Sequence, residues 1–284
     1  MLSLNPQELS IPVLQKYLQN AVAPRPICFA STVSKDGVPN LAPFSFFNVF
    51  SSNPPILVFS PARSGKTGAT KDTLDNVLEV PEVVINMVNY NMVHQMSLAS
   101  SPYPKGVNEF IKAGFTPVSS DLVKPFRVAE SPVQIECRVN EVKSLGEKGG
   151  AGNLVICEVL RIHIQDEVLN SDKQIDTKKI DLVARMGDNW YCRAGGESLF
   201  EVEKPITTIG IGIDAIPDSI KHSKILSGNN LGLLGSVEAL PGNEELEAFR
   251  KTLRAFSGEE EKHRYVQALL ESNKVKEAWL VLLS

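Results

Sequence analysis

The stretch of this chain richest in groups that could do chemistry is Ser60-Pro-Ala-Arg63-Ser64-Gly65-Lys66-Thr67, which ends like a phosphate-binding loop. Hydroxyls, two cations and backbone N–H groups crowded into one short loop suit a phosphate or another polar ligand. The nucleotide-triphosphate version of the motif needs glycine where Ser60 stands and a helix opening after Thr67. Here Pro61 follows at once and no helical periodicity begins, so ATP is not the expected ligand. Gly146, Gly149, Gly150 and Gly152 form no GxGxxG and lie between two strand-like runs, which excludes the dinucleotide fingerprint. His94, His163, His222 and His263 each lack a second ligand at metal-binding spacing, and Cys28, Cys137, Cys157 and Cys192 contain no CxxC, so no metal site is expected. No GxSxG elbow follows a strand. The chain therefore offers no catalytic residue set of its own.

The bulk properties narrow the partners. A net charge of −4 with no basic block argues against nucleic acid and anionic membranes as partners. The N-terminus lacks the basic start and apolar run of a signal peptide, and no apolar stretch reaches the roughly 18 residues that span a bilayer. Scattered cysteines in such a chain read as reduced, buried residues of a cytoplasmic protein.

The elements that must position any site are mostly strands. Ser10 opens a short helix with Val13, Leu14, Tyr17 and Leu18 on one face, ending before Pro24. Ile27 to Val33 runs into the hairpin signal Asp36-Gly37, and a strand from Asn40 to Val49 follows, interrupted by Pro43. Proline donates nothing to a ladder, so Pro43 marks an edge, a bulge or a ligand approach. Ile56–Ser60 and Val83–Val88 read as buried strands. Pro132–Lys143 alternates, with Val133, Ile135, Cys137 and Val139 on one face and Gln134, Glu136, Arg138 and Asn140 on the other. Short strands and hairpin turns across residues 1–204 predict a mainly β barrel, not a βαβ array. Beyond Pro205 the pattern turns helical. One helix opens at Asn243 with Leu246, Phe249, Leu253 and Phe256 on a face. Another opens at Ser257 with Glu260 at capping-box spacing, and residues 205–284 read as a mostly helical appendage.

One ordered series remains: Pro24-Arg-Pro-Ile-Cys-Phe-Ala-Ser-Thr-Val33 running through Asn40-Leu-Ala-Pro-Phe-Ser-Phe46, then Pro54-Pro-Ile-Leu-Val-Phe-Ser60, Lys71-Asp-Thr73, Val84-Ile-Asn-Met-Val88 and Tyr103–Pro117. Across roughly residues 20–200 this order resembles the flavin reductase-like family of FMN-binding split barrels, the flavoredoxin type. The resemblance implies a split β-barrel with FMN at a homodimer interface. Carried over residue by residue, it puts Ala42, Pro43, Phe44, Ser45 and Phe46 along the ring and ribityl chain, with Ser60, Arg63, Lys71, Asp72 and Thr73 at the ribityl and phosphate groups and Thr32 nearby. The competing structural readings are a plain edge strand at Pro43 and a helix cap at Asp72 or Thr73. Flavin carries hydride chemistry itself, which suits a chain without a general acid or nucleophile. The implied activity is an NAD(P)H-dependent flavin reductase, with NADH or NADPH as hydride donor. The rivals are a non-catalytic FMN electron carrier reduced by a partner protein, and an interaction protein built on a vestigial barrel.

Overall fold

A computed structural model describes residues 1–284, and the chain divides into two compact units, Met1–Phe200 and Glu201–Ser284. The first begins with α1 (Ile11–Ala21) and is built on β1 (Cys28–Val33), β2 (Pro39–Phe44), β3 (Phe47–Ser52), β4 (Pro55–Phe59) and β5 (Glu82–Met87). Helix α2 (Asp72–Glu79) lies between β4 and β5. After β5 come α3 (Val93–Leu98), α4 (Glu109–Ala113) and the two-residue strands β6 (Pro117–Val118) and β7 (Arg127–Val128). The long strands β8 (Val133–Ser144) and β9 (Asn153–Ile164) and the hairpin β10 (Leu182–Arg185) and β11 (Tyr191–Ala194) complete the unit.

Seven strands form one antiparallel sheet in the order β2-β1-β5-β8-β9-β4-β3. Its two edges, β2 and β3, are consecutive in sequence and joined through Ser45 and Phe46 alone. The sheet is rolled: the Phe44 ring on one edge strand lies 5.5 Å from the Phe59 ring on β4, next to the opposite edge. Its concave face buries Cys28, Ala30, Phe59, Val83, Ile85, Cys137, Val155 and Cys157, and Leu74 and Val77 of α2 close that core. The outer face of β1 carries Phe29, packed under Met92, Met96 and Phe110 of the region from Tyr90 to α4. This two-sided cover explains why β1 is buried at every position. Burial also pushes the Cys157 thiol up to about 12 and those of Cys28 and Cys137 well above their ordinary value, so these three are packing residues, whereas Cys192 is half-buried.

The run expected as one interrupted strand from Asn40 to Val49 is two strands on opposite edges of the sheet. The break falls at Ser45–Phe46, not at Pro43. Pro43 stays inside β2, opposite Phe29. The edge tolerates it because Leu41 donates its N–H outward to the Glu109 carboxylate at 3.0 Å, and the next outward position, two residues on, is Pro43 with no N–H to satisfy. Glu109 is itself buried, which raises its pKa.

The face of β8 expected to be polar is not wholly exposed. Glu136 is fully buried and accepts from Asp121 N–H at 2.9 Å, Leu122 N–H at 2.7 Å and the His163 ring at 2.7 Å. A bulge after Glu136 resets the alternation against β9. Burial alone would raise the Glu136 pKa, but the Asp121, His163 and Leu122 hydrogen bonds outweigh it and hold the carboxyl below its ordinary value. Asp121, Glu136 and His163 bring their ligand atoms within 4.8 Å of one another. However, the Glu136 oxygens are already engaged, and Arg161 pairs with Asp121, so the cluster latches a loop. Glu136→Gln is expected to lower stability by about 1–3 kcal/mol, the cost of leaving buried donors imperfectly paired. A folded-state pKa held below the unfolded one gives stability that is present above about pH 4.3 and is lost as pH falls. The gap between native and variant chains in urea denaturation should therefore narrow below that pH and stay constant near neutrality.

The second unit holds α5 (Asp218–Lys221), α6 (Gly228–Gly235), α7 (Asn243–Arg250), α8 (Glu259–Glu271) and α9 (Val275–Leu283). Helix α7 stops before Phe256. Ser257 does not cap α8: Gly258 holds that position with no side-chain cap, and Ser257 donates its N–H and Oγ to the Glu261 carboxylate at 2.7 and 2.8 Å, leaving Glu260 out of any capping box. Trp279, Val266, Leu270, Leu234 and Val281 form the unit's own core.

Candidate functional site

The gap between the sheet edges is where sequence-distant polar groups converge. Phe46 accepts through its carbonyl from the Ser60 N–H at 2.8 Å, which ties the end of β4 to the break between β2 and β3. Ser60 then opens the loop that resembled a P-loop. Its hydroxyl accepts from the Asn153 N–H at 3.1 Å, and the Asn153 amide donates to Pro61 O at 2.9 Å. Arg63 pairs in both directions with the glycine-rich connector: its N–H donates to Ala151 O at 2.9 Å, and Gly150 N–H donates to Arg63 O at 3.0 Å. A Cβ on Gly149 would come within 2.8 Å of Ser64 O, so the connector's glycines exist to let the 60–69 loop lie flat on it. That is the role the absent dinucleotide fingerprint left open.

Residues 60–71 hold three cations without anionic partners, Arg63, Lys66 and Lys71. Arg63 spends one N–H on Gly68 O at 3.3 Å, while its Nε is buried with no partner. Lys71, exposed at the N-cap of α2 and extended in backbone, forms no salt bridge. A buried guanidinium nitrogen without a partner costs free energy unless something outside the chain satisfies it. The rest of the half-buried Arg63 guanidinium, the exposed Lys71 and backbone N–H groups suit an anion.

The remaining residues expected at the site divide. Ala42, Pro43, Phe44 and Ser45 are half-buried along the edge and Phe46 is 42% exposed, so this run faces the gap beside the loop. Thr32 and Thr73 are buried. Asn40 donates to both hydroxyls, at 3.0 and 2.9 Å, and Asn76 donates to Thr32 at 3.1 Å. Those hydroxyls fasten α2 to β1 and β2, and any ligand contact of Thr73 would come through its backbone. Asp72 lines a separate groove with Asp36, Asp75, Glu79, Lys35 and Lys105. It does not cap α2, because Lys71 holds that position.

Arg25 is a positioning residue that no motif marks. It is 7% exposed, and its guanidinium donates to Ser45 Oγ at 3.3 Å, Val22 O at 2.6 Å, Met186 O at 2.8 Å and Gln19 O. Its backbone pairs with Arg185 in both directions. One side chain thus joins the end of α1, the Ser45 gap and the β10–β11 hairpin; burial, then the Arg185 charge, lowers its pKa. The only sequence signal was its place between two prolines, Pro24 and Pro26.

In the second unit, His263 Nδ1 lies 2.8 Å from Ser223 Oγ and its Nε2 lies 3.5 Å from Glu259, the outline of a hydrolytic triad. The Ser223 oxygen also accepts from the Ile225 and Leu226 N–H groups at 3.1 and 3.2 Å, so it terminates a turn and is not poised as a nucleophile.

A model of the flavin reductase like domain matches residues 21–178, more than half of the chain. An uncharacterized protein of Aquifex aeolicus is 36% identical over 189 residues, covering 66% of this chain and 94% of the relative. Nitrilotriacetate monooxygenase component B from Bacillus cereus is 30% identical, with a TM-score of 0.66 over 71% of this chain and 98% of that one. A Shewanella frigidimarina protein assigned as a flavin reductase with a split barrel domain is 23% identical, with a TM-score of 0.60 over 70% of this chain and 95% of its own. The rolled sheet with its unpaired seam shares that fold.

Proposed function

The chain belongs to the flavin reductase-like domain family, and from that membership we propose that it is an FMN-binding oxidoreductase, a cytoplasmic homodimer that takes hydride from NADH or NADPH. The observation that carries the flavin reading is the run of cations without anionic partners, Arg63, Lys66 and Lys71, on and just after the loop that meets the seam. Those groups suit a phosphate, and the seam beside them, from Ala42 to Phe46, suits a flat ring and its polar tail. When bound, FMN would supply the hydride-accepting centre. The chain's own part is to hold that group. Arg63, Lys71 and loop N–H groups would grip the phosphate, Ser45 and Ser60 the polar chain, and Pro43 would leave the edge without a competing ladder donor. Arg25 fixes Ser45, so ring placement would depend on a residue that is nearly inaccessible itself.

Steady-state oxidation of NADH and NADPH with added FMN tests the reaction. Turnover with either supports a reductase. No turnover with both, in protein that keeps its flavin through gel filtration, would favour an electron carrier reduced by another protein.

The dimer rests on exposed apolar surface. Val49 and Phe50 on edge strand β3 are 61% and 68% exposed, and α1 buries no residue although its Val13, Tyr17 and Leu18 form an apolar face. An apolar edge strand and an apolar helix face of this kind invite a second subunit. Sedimentation equilibrium should give a dimer at micromolar concentration, and Phe50→Glu should shift it toward monomer by introducing a buried charge. A native chain that sediments as a monomer would remove the two-subunit site.

A further inference from the structure

Between α3 and the β10–β11 hairpin lies a cleft of about 430 Å³ whose lining includes Tyr90, His94, Arg185, Asn189, Tyr191 and Arg193. Two guanidinium–aromatic stacks form its walls, Arg185 lying 4.7 Å from the Tyr191 ring centre and Arg193 4.0 Å from that of Tyr90. The two arginines differ in charge balance. Arg193 is held by both oxygens of Asp181, at 2.7 and 2.8 Å. Arg185 donates only to carbonyls, Trp190 O at 2.9 Å and Asp188 O, and faces no carboxylate. The cleft thus presents one uncompensated cation, flat aromatic surface at 36% exposed Tyr191 and 48% exposed Tyr90, and the Asn189 amide. That combination suits an aromatic ring joined to a phosphate: rings stack on tyrosine faces, arginine takes phosphate, and an amide reads a ring edge.

Position selects among such ligands. Strand β10 is bridged to Arg25 through Arg185, and the Arg25 guanidinium reaches Ser45 at 3.3 Å. Arg185 of the cleft lining is therefore joined through a single residue, Arg25, to the seam where the flavin ring is proposed to lie. We propose that this cleft is the subsite for the adenylate half of the dinucleotide reductant, with Arg185 on its phosphate and Tyr191 against its purine. This rests on the NAD(P)H reading above. A dinucleotide with its nicotinamide at the seam must put its other half in an adjoining space. A simple aromatic carboxylate would leave most of the volume empty.

The test uses the full-length chain and the fluorescence of Trp190, which is 75% exposed in the hairpin turn. AMP should quench it saturably at millimolar concentration or below, with benzoate much weaker. Arg185→Met should raise the AMP dissociation constant about ten-fold or more, as expected for a lost charge-assisted contact. Because Arg185 also holds its own turn, Tyr191→Leu serves as the second variant: it removes the ring but keeps the Arg185 cation and its bonds to Trp190 O and Asp188 O, and should weaken AMP binding several-fold. Both should raise the KM for NADH in proportion while leaving kcat, FMN occupancy and the oxidation of reduced nicotinamide mononucleotide, which lacks the adenylate, unchanged. AMP that does not bind, or binds the variants as tightly as the native chain, would overturn the proposal. So would benzoate binding tighter than AMP, or equal losses with the dinucleotide and the mononucleotide. Absence of NADH and NADPH oxidation together with variant-sensitive AMP binding would leave the adenylate site standing and sink the reductant reading instead.

Discussion

Arg63→Ala is expected to weaken FMN binding by about ten- to a hundred-fold while riboflavin affinity barely moves. A charge-assisted hydrogen bond contributes roughly 1.5–3 kcal/mol, and each 1.4 kcal/mol is about a factor of ten. Riboflavin has the ring and ribityl chain but no phosphate, so a residue whose role is to meet the phosphate should be indifferent to it. Arg63 suits this test because its side chain makes only one long internal bond, to Gly68 O, and its Nε has no partner to lose. Removing it should cost the folded chain little. Lys71→Ala should show the same pattern, with a loss that grows at low salt because Lys71 is exposed and its field is screened. Thr73→Val should behave differently. Its hydroxyl accepts from Asn40 inside the protein, so the valine variant should lower thermal stability and weaken both flavins alike. Fluorescence titration of both flavins against the three variants gives the comparison. Equal losses of FMN and riboflavin with Arg63→Ala would mean that the loop is only shaped by this residue, and the phosphate would have to sit elsewhere. A loss confined to FMN with Thr73→Val would return Thr73 to direct contact.

The features legible in the sequence are those fixed by local chemistry. Strand β1 and its turn were readable because Asp36-Gly37 demands a tight hairpin, and Gly37 does adopt a left-handed φ of 82°. The alternation in β8 was readable up to the bulge. What could not be read depends on which strands pair. Asn40 to Val49 is a continuous β-prone run, and nothing local says that its halves belong to opposite edges of a rolled sheet. Glu136 has the sequence context of a surface residue and is buried only because the Asp121–Leu122 turn folds over it. The glycines of the 146–152 connector were visible, but Gly149 is needed for its approach to Ser64, more than eighty positions away. At the site the same limit applies. The motif identified a loop with cations, whereas the separation of Arg63 and Lys71 from the internally bonded Thr32 and Thr73 is a matter of tertiary contacts.

Trp279→Ala should unfold the second unit at moderate temperature and leave the first unit folded with its flavin affinity intact. Trp279 is 1% exposed at the centre of the core formed with Leu234, Val266, Leu270 and Val281, and its indole N–H donates to Leu234 O at 2.9 Å. Truncating a buried tryptophan costs about 3–5 kcal/mol, and the orphaned carbonyl adds to that. Small domains are stable by only about 5–15 kcal/mol, so the variant loses much of what a unit of this size possesses. At about 4–8 °C per kcal/mol for a domain of 60–100 residues, the corresponding thermal transition should fall by tens of degrees. Far-UV circular dichroism isolates the effect because α5 to α9 carry most of the second unit's signal, while the core of the first unit, built around Phe29, Phe59 and Ile85, contains none of these residues. Trp279→Phe, which keeps most of the volume but not the N–H, should lower the same transition by a smaller amount. A chain ending at Lys204 supplies the independent comparison: it should fold and bind FMN as the full chain does. Loss of flavin in step with the helical transition of Trp279→Ala, or a folded truncated chain that binds none, would show that the two units stand or fall together and that the C-terminal helices help to build the flavin site.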